Sequence, residues 1–195
     1  MVKFFGNLGQ VVFLAFALLV IMIFAFHGGT ETPTYLNALF RYLHTLFGIM
    51  WIGLLYYFNF VQIPTMPKVP AELKPGVTKF IAPTALFWFR WAALLTVVMG
   101  LIIAAHYPNQ YLVEALTFQS PYVMIGLGMW LGLIMAFNVW FVIWPNQKKA
   151  LGLVEVDADT KAKAATTAMM FSRINVALSV PMLYTMVTQG LLGGA

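Results

Sequence analysis

Five stretches of the chain, at about residues 8–26, 36–63, 80–106, 122–145 and 166–192, run apolar with hardly a charge between their ends. A helix needs roughly 20 such residues to cross the hydrocarbon of a bilayer. Unpaired backbone groups are too costly there for loops or open sheet edges, so long apolar runs of this kind predict helices. Composition agrees, with 62% hydrophobic residues, 9% charged residues and a mean hydropathy of +0.85. Soluble domains carry about 25% charged residues. The expected fold class is all-α integral membrane: a bundle of five transmembrane helices, forming a single membrane domain over residues 1–195 in contact with membrane lipid. The first stretch follows Lys3, as a secretory leader would. Its apolar run is too long for a typical leader, and His27-Gly28-Gly29 is a poor small-residue cleavage site, so it reads as a retained helix.

The lysines set the topology. All eight fall in alternate connections: Lys3 before the first span; Lys68, Lys74 and Lys79 between the second and third; Lys148, Lys149, Lys161 and Lys163 between the fourth and fifth. The other connections hold Glu31 and Glu114 and no lysine. Positive residues stay on the cytoplasmic side, which places the N-terminus in the cytoplasm and the C-terminus outside. The net charge of +5 is thus a topology signal, and no nucleic-acid partner is expected. Pro33, Pro64, Pro67, Pro70, Pro75, Pro108, Pro121 and Pro145 are expected in loops or at helix ends, and Pro83 in the first turn of the third helix. Pro181 is expected to kink the fifth.

No cysteine is present, which excludes disulfides, thiolate metal sites, iron–sulfur clusters and covalent c-type haem within this chain. No phosphate-binding glycine loop, zinc-protease motif or nucleophile elbow occurs. None of the six acidic residues falls inside a predicted span, so carboxylate acid–base chemistry and a carboxylate proton relay are not expected.

The informative residues are those that do not belong in lipid. Arg41, Arg90 and Arg173 lie within predicted helices, where an arginine costs a few kcal/mol on insertion scales unless it faces protein, water or a ligand. Arg41 is near the outer end of the second helix and can snorkel. Arg90 is about ten residues, or ~15 Å, into the third. It sits in Phe87-Trp88-Phe89-Arg90-Trp91, an aromatic cage suited to cation–π contact, with Asn138 as an alternative partner. Arg173 and Asn175 enter the fifth helix from the cytoplasmic side and read as anchors or a polar cluster. His27, His44 and His106 all fall in the outer half. His27 and His106 are at helix ends, whereas His44 is ~12 Å inside an apolar span and needs a partner. On the second helix Arg41, His44, Gly48, Trp51, Leu55, Asn59 and Gln62 recur at spacings of three and four, which places them on one face. Gly48, one turn below His44, leaves a gap for a flat group or another backbone. Gly128-x-x-x-Gly132 in the fourth helix is a packing pattern.

A buried imidazole beside a gap in an apolar bundle suits haem b, with two neutral histidines as axial ligands. His44 is the first candidate and His106 and His27 are the candidate second ligands. Arg41 would neutralise propionates, and Gly48 and Trp51 would shape the pocket. Arg90 and His106 are 16 residues apart, about 160° around an ideal helix, and do not serve one ligand together. A copper site on His27, His44 and His106 is the alternative.

Arg41-Tyr42-Leu43-His44, Gly48-Ile49-Met50-Trp51-Ile52-Gly53, Tyr57-Phe58-Asn59-Phe60-Val61-Gln62, Trp88-Phe89-Arg90-Trp91, the run Asn138–Gln147, Ser172-Arg173-Ile174-Asn175 and Ser179-Val180-Pro181-Met182 resemble the membrane domain of the bacterial integral-membrane urate oxidase (urate hydroxylase) family. The resemblance covers about residues 36–187, and Asn138–Gln147 is its most specific part. The histidine–glycine–tryptophan pattern at residues 44–53 also resembles membrane haem-dependent protoporphyrinogen oxidases. The resemblance implies a redox protein of the bacterial inner (cytoplasmic) membrane. Family enzymes carry a C-terminal cytochrome c domain, which implies an external electron acceptor here: a cytochrome c, or a larger membrane enzyme complex. The second expectation is a non-catalytic accessory subunit of a respiratory or oxygenase complex.

Overall fold

The computed structural model describes residues 2–107 and 110–192; Pro108, expected in a loop, lies outside them. All regular structure among the described residues is helical. Five helices are long and apolar enough to cross a membrane: α1 Leu8–His27, α2 Thr32–Lys68, α3 Lys74–His106, α4 Val123–Ala150 and α5 Ala158–Leu192. The expected all-α, five-span architecture is therefore present.

The chain divides into two units, Met1–Leu39 and Phe40–Ala195. The first contains α1 and the opening turns of α2. Asn7 caps α1, its side chain accepting a hydrogen bond from the Gln10 N–H at 3.3 Å. No residue of α1 is buried. A helix that is apolar all round is suited to a lipid environment.

In the second unit α2 to α5 share one core. It is built from Trp51, Leu55 and Phe58 of α2, Phe89, Ala92 and Ala93 of α3, Met135, Val139 and Ile143 of α4, and Met182 of α5. Phe58 and Phe89 meet edge to face at 5.7 Å. Close approach on α4 is made at Gly126 and Gly128. A methyl group on the first would run into the Ala115 carbonyl, and one on the second into the Thr185 hydroxyl. The small-residue pattern thus acts in packing, through Gly128.

All the helices of this unit exceed the expected bounds. α2 reaches Lys68 rather than residue 63, α3 starts at Lys74 rather than 80, α4 ends at Ala150 rather than 145, and α5 starts at Ala158 rather than 166. Hydropathy marks the part of a helix that lies in hydrocarbon, and polar turns continue beyond it. Lys68, Lys74, Lys79, Lys148, Lys149, Lys161 and Lys163 therefore sit on helical turns instead of in loops. For α5 the true start is Asp157, whose carboxylate accepts from the Thr160 N–H at 2.8 Å and the Thr160 hydroxyl at 2.6 Å. This is an N-cap, and the sequence signal is an Asp three residues before a Thr. Those two hydrogen bonds hold the carboxyl below its ordinary pKa.

Proline placement differs from expectation for a shared reason. Pro64 and Pro145 lie inside continuous helical runs, and Pro83 is well past the first turn of α3. The residue before each one, Ile63, Ala82 or Trp144, donates its N–H five residues back, to Phe58, Val77 and Val139 respectively. A proline collides with the carbonyl four residues before it. Widening the preceding turn to a five-residue repeat accommodates the ring without ending the helix. α5 likewise continues through Pro181. Just upstream the Ser179 hydroxyl donates to the Val176 carbonyl at 2.7 Å.

Candidate functional site

The polar residues of the second unit gather in two places, one toward the histidines and one toward the lysine-bearing ends of α2, α4 and α5. At the histidine-bearing end, α2 and α3 run against each other. The His44 ring fits over Gly100: an added methyl there would lie 2.9 Å from Cε1 and 3.0 Å from Nδ1. His44 Nδ1 is 2.8 Å from the Thr96 carbonyl. A carbonyl accepts only, so Nδ1 carries the proton and Nε2 of the neutral ring keeps its lone pair. Thr96 turns its own hydroxyl back to the Ala92 carbonyl at 2.7 Å. Glycine at position 100 and a threonine carbonyl at position 96 together fix the imidazole.

Further along the same seam, Phe40 packs against His106 at 6.1 Å. His106 Nδ1 likewise donates to a carbonyl, that of Ile102, at 2.8 Å. His106 and Arg41 are exposed. Tyr107, Tyr111 and Tyr122 pack together nearby, Tyr107 tilted on Tyr111 at 4.8 Å and Tyr122 edge-on to Tyr111 at 4.7 Å. Burial pushes the Tyr111 phenol up, its tyrosine neighbours add to this, and the charge of Arg41 opposes it. This aromatic trio was not anticipated; Tyr107 follows the end of α3 and Tyr111 opens the next short helix, so no helical spacing in the sequence marks the pair.

Two expected roles need correction. Gly48 does not leave an open gap beside His44: its Cβ position is 3.8 Å from the Thr96 methyl, so α3 fills that space. Trp51 is 1% exposed and belongs to the shared core rather than to a pocket wall. A glycine gap in a sequence is filled by whichever neighbour packs there, and periodicity does not name the neighbour. His27 closes α1 in the first unit, exposed to its surroundings. Among the described residues no three histidine, aspartate or glutamate side chains cluster as a metal site.

The second gathering lies deeper. Asn138 donates to Asn175 Oδ1 at 2.9 Å, and Asn175 donates to the Met135 carbonyl at 3.0 Å, joining α4 to α5. Asn175 is completely buried. Asn59 donates to its own helix at Leu55 (2.8 Å) and to Ser172 Oγ (2.7 Å). Tyr56 meets Ser179 at 3.0 Å. Ser179 already donates to a carbonyl, so Tyr56 is the donor. Ser172, Asn175 and Ser179 form the polar seam of α5 toward its neighbours. Arg173, between them in sequence, is exposed on the other side and takes no part.

Arg90 is placed by α4 as much as by its own helix. Its guanidinium lies 3.8 Å over Trp144 and 5.5 Å from Phe87. The local cage read from the sequence is corrected: consecutive residues point about 100° apart on a helix. Phe89 turns inward to Phe58, and Trp91 packs on Trp140 at 5.4 Å. Asn138 is not the partner of Arg90; its amide turns to Asn175 instead. The Arg90 carbonyl accepts from Trp140 Nε1 at 3.1 Å, which locks α3 to α4.

No curated protein and no solved structure matches the chain. Residues 109–191, from the connection before α4 through almost all of α5, match the family model described as urate oxidase N-terminal, which bears out the resemblance over the Asn138–Gln147 and Ser172–Met182 runs.

Proposed function

We propose that this chain is an integral-membrane redox protein of the urate oxidase type, with its cofactor held at the histidine-bearing end. One observation carries the reading: His44 donates Nδ1–H to the Thr96 carbonyl, so that its neutral form carries the lone pair on Nε2. That is the protonation state a metal-ligating histidine needs, with the carbonyl orienting the ring. The donor set, imidazole nitrogens without thiolate or carboxylate, fits b-type haem, and copper less well because no three ligands gather among the described residues. His44 would be the first ligand and His106, with the same tautomer, the second. Bound haem would supply one-electron transfer. Arg41, one turn from His44, places positive charge at the rim. With the lysine-bearing ends in the cytoplasm, the histidines face the outer side of a bacterial inner membrane, toward an external acceptor such as a cytochrome c.

A reduced-minus-oxidised spectrum of purified protein, expressed with haem supply, tests this directly. Wild type is expected to show a haem band. His44→Ala is expected to insert normally and lose the Soret band, and Arg41→Leu to weaken haem retention. Absence of haem from wild type, or full occupancy in His44→Ala, refutes the assignment. A second reading, an accessory subunit of a larger membrane complex, is favoured by α1, which buries no residue of its own. Native mass spectrometry in mild detergent decides it: a persistent co-purifying enzyme and no cofactor on this chain selects the accessory role.

A further inference from the structure

Arg90 and Lys148 come from different helices and meet the same ring. The Arg90 guanidinium is 3.8 Å from the centroid of Trp144 and Lys148 Nζ is 5.8 Å from it, so the two charges are less than ~10 Å apart, within one screening length. Among the described residues both cations are met by aromatic rings, with no carboxylate in salt-bridge reach and no hydrogen bond from either head group. The carbonyls that draw lysines back at a helix C-terminus are already met: those of Gln147, Lys148 and Lys149 accept from the N–H groups of Leu151, Leu153 and Gly152. Two like charges this close repel, and an arginine in an apolar span is costly without a counter-charge.

The depth of the pair is set by α4. Its apolar run ends at about residue 145, so Trp144 stands at the border of the hydrocarbon, and Lys148 is one turn beyond, in the last turn of the helix. Arg90, pressed on Trp144, is therefore at that border too. Beside the pair, the face shared by α3 and α4 is aromatic and open to the outside. Trp91 packs on Trp140 at 5.4 Å and on Phe87 at 6.3 Å, yet Phe87 and Trp91 stay 44% and 40% exposed.

We infer that Arg90, Trp144 and Lys148 form a binding site for the phosphate of an anionic phospholipid, in the leaflet at the lysine-bearing face. The guanidinium offers paired N–H donors to phosphate oxygens, and Lys148 adds a second charge without having to reach the same oxygen. Basic pockets between transmembrane helices hold anionic headgroups in this way. A free phosphate would satisfy the same cations but would leave the exposed rings unused, whereas acyl chains cover them. Two cations without a carboxylate favour a lipid of net negative charge over a zwitterionic one. The inference does not depend on a cofactor at the histidine end.

The test uses the whole chain in bicelles of phosphatidylcholine, with and without phosphatidylglycerol. Phosphatidylglycerol is expected to raise the melting temperature of wild type by about 2–4 °C. Arg90→Gln and Lys148→Gln are each expected to lose most of that shift. Lys163→Gln, which removes an exposed lysine of α5, is expected to keep it. Native mass spectrometry after exchange into mild detergent is expected to find phosphatidylglycerol retained on wild type and Lys163→Gln, and several-fold less on the other two. Absence of a shift in wild type overturns the inference. Equal losses in all three variants mean a diffuse surface charge and overturn it as well. A wild-type shift reproduced by inorganic phosphate in pure phosphatidylcholine assigns the cations to a free anion and overturns the lipid. Should Arg90→Gln fail to fold, Lys148→Gln, at the helix end, carries both measurements.

Discussion

The histidine-bearing end and the amide-rich end are built from the same kind of residue, polar groups in an apolar span, and they spend their hydrogen bonds differently. At the amide end, side chain meets side chain across helices: Asn138 with Asn175, Asn59 with Ser172, Tyr56 with Ser179. These bonds are mostly internal and tie α2, α4 and α5 together. At the histidine end, the histidine and threonine side chains turn to backbone carbonyls: His44 to Thr96, His106 to Ile102, Thr45 to Arg41. A carbonyl absorbs one proton and leaves the second nitrogen of an imidazole free. The first arrangement makes structure and the second leaves chemistry available. A polar residue inside a membrane is therefore not by itself a site; what matters is whether its remaining hydrogen-bonding capacity is used up.

The sharpest way to break this comparison is at Asn175. Replacing Asn175 with Leu removes both of its bonds and leaves Asn138 buried without its partner, an expected loss of about 2–3 kcal/mol in unfolding by denaturing detergent. The double replacement of Asn138 and Asn175 by leucine is expected to recover part of it, since no orphan remains. If either single variant is neutral, the amide end is not the structural tie described here. The cofactor content of these variants, once folded, is expected to match wild type.

At the other end Gly100→Ala forces a methyl group into the His44 ring and displaces it from Thr96, costing about 1–3 kcal/mol. Thermal melting reads the stability loss, and absorbance of the haem-supplied protein reads the loss of the histidine's position. Gly48→Ala is its control. The contact at 3.8 Å is ordinary, so little change is expected in either readout. Equal damage from the two glycines contradicts the placement of His44.

A smaller effect is expected at Arg90. Trp144→Leu removes the ring beneath the guanidinium and is worth about 0.5–1 kcal/mol of cation–π attraction, plus lost packing. Trp144→Phe is expected to retain most of it. The smallest effect lies outside the membrane, at the start of α5. Hydrogen bonds to Thr160 hold Asp157 below its ordinary pKa of 3.8. A depressed carboxyl stabilises the fold above its unfolded pKa and loses that contribution as pH falls through the folded value. Melting between pH 5 and pH 2 is therefore expected to show a slight extra decline in wild type that Asp157→Asn lacks, flagging the cap with ~5 as the upper edge of the window.

Much of the fold was legible because hydropathy is additive along a chain. Five apolar runs gave five helices, and the expected ends erred only where polar turns extended them. His44 was legible as a residue needing a partner, since an imidazole deep in an apolar run has no water to meet. Its partner was not: nothing marks Thr96 as the carbonyl it reaches, or Gly100 as the surface it lies on, because both belong to another helix. The Asn59 and Gln62 positions were counted on one face with Arg41 and His44 by assuming 3.6 residues per turn throughout. The widened turn at Tyr57–Gln62 breaks that count for its last members. The cause, Pro64, was visible in the sequence and read as a helix end.

By itself the sequence determined that the chain spans a membrane with five helices, which residues are costly to bury there, and, through Asn138–Gln147 and Ser172–Met182, its likeness over residues 109–191 to the urate oxidase N-terminal family model. These follow from composition, run length and local order, which are properties of neighbours in the chain. Tertiary structure decided which polar groups meet: Asn138 with Asn175 rather than Arg90, Arg90 with Trp144 rather than its own flanking tryptophans, and Gly48 with Thr96 rather than with a ligand. Such pairings depend on which helix faces are apposed and in what register, and in an apolar alphabet many registers bury the same hydrophobic area. The choice among them is made by a few close contacts and hydrogen bonds between residues distant in sequence, so it exists only once the helices have packed.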